Sequence, residues 1–194
     1  MDIINAILSI KPVDLLVFFA LFAMFILGFM QGIIRRLLGI ASILLSLLIA
    51  AQLRGPFGGF LSQNWTQYTP AYDHMLAFGS VFLAGTIGST IALQLFYKPI
   101  PLFAKYPMVD EILGGLLGIL QGALILAAFY LITDPFFAAA DVGVHANEFP
   151  FVRGIHDALQ GSVTADIARN QLVPAVLFLF GALFSSDVKS AFDH

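Results

Sequence analysis

Four stretches of the chain carry no charged residue: residues 15–34, 37–53, 75–97 and 112–133, of 20, 17, 23 and 22 residues. A helix rises about 1.5 Å per residue, so crossing about 30 Å of hydrocarbon takes roughly 17–25 apolar residues. Each stretch fits that window. The pattern predicts an all-α integral membrane protein with four transmembrane helices in a compact, glycine-rich bundle. Residues 1–12 read as an interfacial segment, a short amphipathic helix stopped by Pro12. A signal peptide would start with a basic region and end at a small-residue cleavage site. Neither is present here, so the first stretch reads as a retained span.

Residues 13–133 form the predicted membrane domain, and its connections follow from glycine, proline and charge. Only Arg35-Arg36 separates the first two spans, so their turn must use part of the apolar run, around Gly28–Gly32. Residues 54–73 read as a loop with Gly55-Pro56 and Gly58-Gly59, and its Trp65, Tyr68 and Tyr72 suit the headgroup level. Residues 98–111 read as a second loop, with Pro99, Pro101 and Pro107. Residues 134–194 read as a 61-residue tail with seven acids and three bases. Within it 171–186 (QLVPAVLFLFGALFSS) predicts an apolar helix that lies on the membrane or spans it, with Pro174 in its first turn.

Composition sharpens this picture. Apolar residues make up 59% and charged residues 11%, with a mean hydropathy of +0.92. Soluble domains run to about 25% charged, so a soluble globule and a disordered chain are both excluded. A net charge of −3 leaves no electrostatic case for nucleic-acid binding. There is no cysteine, hence no disulfide and no thiolate chemistry. Bases in the short connections set orientation. Arg35 and Arg36, with Lys98 and Lys105, outnumber Lys11 and Arg54. That places the first turn and third connection in the cytoplasm and both termini outside it.

Helices in lipid associate through small residues. Gly114, Gly118 and Gly122 form a ridge on the fourth span, Ser80, Ala84, Gly88 and Ala92 one on the third, and Gly28 and Gly32 close the first. These faces serve packing within the chain, a homodimer or a larger complex. Gln31, Gln94 and Gln121 are the intramembrane polar groups expected to meet protein or water. Asp14 and Asp110 open spans one and four, where an acid suits free N–H groups, or pairs with nearby bases to fix register. No charged side chain reads as deep within a span. The four histidines lack metal-ligand spacing, and His145 and His156 read as surface groups. No catalytic motif, metal site or cofactor site is predicted.

Two stretches carry a resemblance. VDEILGGLLGILQGALIL (109–126) has an Asp followed by glycines at four-residue spacing, and GFMQGIIRRLL (28–38) is a glycine-rich turn leading to Arg35 and an apolar helix. Both are similar to signatures of the colicin V production protein family (CvpA), and Asp14 matches an acid common near the start of its first span. The sequence departs from that pattern at Gln31 and Gln121, where members often carry Arg, and at Arg36, where Glu is common. The resemblance implies a bacterial inner-membrane, multi-pass protein of four spans. It further implies a non-enzymatic role in toxin production, export or envelope function through other membrane proteins. Residues 134–194 are too short for the protease domain that some relatives carry.

Overall fold

The computed structural model describes residues 11–96, 106–137 and 148–180, and every regular element in them is helical. Helix α1 is Pro12–Asn64, α2 is Pro70–Phe96, α3 is Pro107–Phe137, α4 is Pro150–Leu159 and α5 is Val163–Phe180. Proline opens the first four. Its ring pre-sets the helical φ, and the N–H it lacks would have had no partner in a first turn. At α1 the Lys11 N–H also donates to the Asp14 carboxylate at 3.1 Å.

The first two predicted spans are one 53-residue element broken at Gly32, where φ is 74° and ψ 176°. That backbone region is open essentially to glycine alone. The chain reverses there. Before it, Leu21, Met24 and Gly28 meet Gly122, Gly118 and Gly114 of α3; after it, Arg36 and Gly39 lie against Gln121. The reversal takes a single residue, so Arg35 and Arg36 belong to the second half of α1 and not to a surface turn.

Several boundaries differ from the sequence reading. Residues 54–64, expected as loop, continue α1, with Pro56 inside it. Packing overrides the low helix propensity of Gly58: it lies directly against the His74 ring, and Leu61 is buried. Residues 107–111 begin α3, and 134–137, expected in the tail, end it. The apolar helix starts earlier than 171, at Val163, capped by the Ser162 hydroxyl, which accepts from the Ala165 N–H at 3.0 Å. Pro174 therefore stands well inside α5, not in its first turn. A π-helical turn over Ala168–Leu172 directly precedes it, widening the backbone where the proline ring would press on a preceding carbonyl. The interfacial segment 1–10, Lys98, Lys105 and residues 181–186 lie outside the described residues.

The core joins Ile43, Leu47 and Ala50 of α1, Phe78 and Phe82 of α2, Ala127, Tyr130 and Leu131 of α3, and Ala165, Ala168 and Val173 of α5. Outside, Leu83, Ile87, Ile91 and Leu95 of α2 are each more than half exposed. Four helices, α1, α2, α3 and α5, are long and apolar enough to cross a membrane. This is an all-α, multi-pass membrane protein.

Candidate functional site: a cationic cavity among the helices

The glycine ridge of α3 determines how close α1 comes. A Cβ on Gly118 would collide with the Met24 carbonyl, and one on Gly114 would meet the Gly32 backbone at 2.9 Å. Backbone therefore touches backbone along this seam, which small residues alone permit. At its end the Asp110 carboxylate lies against Gly32. It sits where the second half of α1 begins, and an anion is favourable at a helix N-terminus.

This close seam carries Arg36 into the bundle. Arg36 is 5% exposed, and its Nη1 donates to the Gln121 Oε1 at 2.6 Å. Gly39 makes room for that contact, since a Cβ there would lie 3.0 Å from the Gln121 Nε2. Among the described residues no carboxylate forms an ion pair with Arg36, and its Nε–H has no acceptor. The buried Thr86 hydroxyl is likewise without a partner. Both residues line a cavity of about 270 Å³ between α1, α2 and α3, with Gln31, Arg35, Gln94 and Gln121 on the same walls. Among the described residues no acid lines it.

The other end of the bundle is tied by charge. Thr164 donates its N–H and hydroxyl to the Asp14 Oδ1 at 2.9 and 2.6 Å, and the Lys11 Nζ donates to the Gln160 carbonyl at 2.8 Å. Arg169 holds both oxygens of Asp134 at 2.7 Å, and the His156 Nε2 lies 3.2 Å from Asp134 Oδ1. His156 is fully buried. The sequence reading placed it on the surface, because α4 alone gives no sign that Asp134 of α3 waits beneath it. Arg153 pairs with Glu148 at 2.6 Å, and that hydrogen-bonded carboxylate holds the guanidinium above its ordinary pKa.

The structure thus brings together one set of sequence-predicted residues, Gln31, Arg35, Gln94 and Gln121, around the cavity. It gathers a second set, Gly28, Gly32, Asp110, Gly114, Gly118 and Gly122, along the α1–α3 seam. Asp14 stands apart, as the anchor of α5. In the sequence Arg36 is singled out only as a base of the first turn and a departure from the resembled signature, not as a buried site residue, and Thr86 is not singled out at all. The signal for Arg36 was its place next to a turn that one glycine can complete; a lone threonine carries none. Gln31, Arg36 and Gln121, which the sequence sets apart from the signatures it resembles, all line this one cavity.

No match is found among curated proteins or among solved structures. A model of the family described as Colicin V production protein matches residues 13–165, from the start of α1 into α5. With the glycine seam and the apolar helices that this match spans, the chain belongs to the Colicin V production protein family.

Proposed function

We propose that the protein is a non-enzymatic component of the bacterial inner membrane that supports colicin V-like toxin production or export, or envelope function, by engaging other membrane proteins. The observation that carries the contact is the outer face of α2. Ser80, Ala84, Gly88 and Ala92 form an exposed small-residue ridge beside Leu83, Ile87, Ile91 and Leu95, and none of the described residues lies within 4 Å of a Cβ on Gly88. The α3 ridge is consumed inside the bundle; the α2 ridge is free for another helix, from a partner or a second copy. The buried acid–base groups support a structural use, because Asp134, His156 and Arg169 satisfy one another.

Single cysteines at positions 84, 88, 92 and 93 test this in native membranes. Crosslinks to a second chain at 84, 88 and 92 but not at 93, where Leu93 lines the inner cavity, support the reading. Equal crosslinking at all four, or none, overturns it. A second reading, a small transporter or channel component, is favoured by the cavity around Arg36. Its test is solute flux in proteoliposomes, compared between the wild type and Gly39→Leu, which fills the cavity wall beside Gln121.

A further inference from the structure

The Arg36 cavity holds two buried hydrogen-bond donors, the Arg36 Nε–H and the Thr86 hydroxyl, that no described residue satisfies. A buried charge without a partner is costly, and more so where lipid replaces water. Arg36 has one neutral acceptor, Gln121, at 2.6 Å and a free Nε–H. Thr86 presents a second buried donor without an acceptor. Arg35 brings a further positive charge to the same walls, and among the described residues no Asp or Glu lines them. At about 270 Å³ the space falls just under the ~300–1,000 Å³ of pockets for drug-sized ligands. It suits a small group, not a large solute.

We propose that this cavity binds a phosphate-class oxyanion, with Arg36 as the principal ligand and Thr86 and Arg35 as further donors. The planar guanidinium fork matches phosphate oxygens in pairs. The donors come from three residues on two helices, and the tetrahedral array of phosphate oxygens presents acceptors in several directions where a planar carboxylate presents them in one plane. The phosphate comes either from an anionic lipid headgroup entering between the helices or from a free ion. This site is independent of the α2 outer face, so either can fail alone.

The test uses the full chain in mild detergent, with four probes: inorganic phosphate, acetate, dihexanoylphosphatidylglycerol below its micelle concentration, and phosphate-free dihexanoylglycerol. A saturable rise in melting temperature is expected with a phosphate probe and not with dihexanoylglycerol. Saturation by inorganic phosphate identifies a free ion, and saturation by the phosphatidylglycerol alone identifies a headgroup. Arg36→Gln, which keeps hydrogen-bonding capacity without charge, should weaken the apparent affinity at least tenfold. Thr86→Val should weaken it about threefold and serves if Arg36→Gln does not fold. No saturable response, an equal response to acetate, or unchanged affinity in the variants overturns the proposal.

Discussion

At the scale of single residues, Gly32 decides whether this chain can form a bundle. Its φ of 74° and ψ of 176° suit glycine alone, and the Asp110 carboxylate occupies the space a side chain would need. Gly32→Ala is expected to cost at least about 1–3 kcal/mol, the range for a residue forced into such a conformation. Gly59, helical and with nothing within 4 Å of its Cβ position, is the matching control. Gly59→Ala should raise stability by about 0.4–1 kcal/mol. Melting curves in one detergent check both, and a neutral Gly32→Ala would show that the reversal lies elsewhere. The sequence narrows this turn to the segment Gly28–Gly32 and no further, since either glycine could have made it. Tertiary contact settles the choice: Gly28 stays helical because the α3 backbone presses on it. The same single-residue economy explains Arg36. Charge counting places two adjacent arginines at a surface turn, but a one-residue reversal leaves no turn for them to occupy.

At the scale of elements, the two small-residue ridges look alike in sequence and differ completely in use. Spacing of four residues says that a helix has a smooth face, not which neighbour meets it. Gly118→Leu should destabilise by more than the about 1–3 kcal/mol of ordinary overpacking, because the atom it strikes is the Met24 backbone, which cannot rotate aside. Leu116→Ala, at an exposed position half a turn away, and Gly88→Leu on the open ridge should each leave the melting temperature of the isolated chain nearly unchanged. A Gly118→Leu variant as stable as the wild type would put the α3 ridge on lipid.

The docking of α4 and α5 depends on another kind of contact, invisible to hydropathy. Asp134 falls just past a charge-free run and reads as the first residue of a soluble tail, yet it is buried and bridges α3 to His156 and Arg169. Removing one partner of a buried ion pair costs about 3–5 kcal/mol, since the other charges stay behind unpaired. Asp134→Ala should therefore speed hydrogen exchange through 150–180 while leaving α1–α3 protected. Equal protection in both proteins would show that apolar contacts alone hold these helices. The π-helical turn before Pro174 was equally illegible. Periodicity assumes one helical pitch, and a proline in an apolar run reads as a helix start unless the chain before it is known to pack.

At the scale of the molecule, the all-α membrane class was legible because a bilayer demands long charge-free runs, and few other constraints produce them. Which end faces the cytoplasm follows from a weaker signal, the asymmetry of bases in the short connections. Of those bases, Lys98 and Lys105 lie outside the described residues. Arg35 and Arg36 lie at the Gly32 end of the bundle, while Arg54, whose carbonyl lies 3.0 Å from the His74 Nδ1, lies at the end that holds Asp14 and Asp134. Two further bases at that second end, Arg153 and Arg169, are each bound to a carboxylate. The expected arrangement has the Gly32 end in the cytoplasm and both termini outside it. Because the chain has no cysteine, single cysteines at Ser62, Ala104 and Ala140 can each be probed in intact cells with a membrane-impermeant thiol reagent. Labelling at 62 and 140 and none at 104 is the expected pattern. The opposite pattern would invert the molecule and place the cavity of Arg36 at the outer end of the bundle. An anionic headgroup would then have to reach it from the outer leaflet.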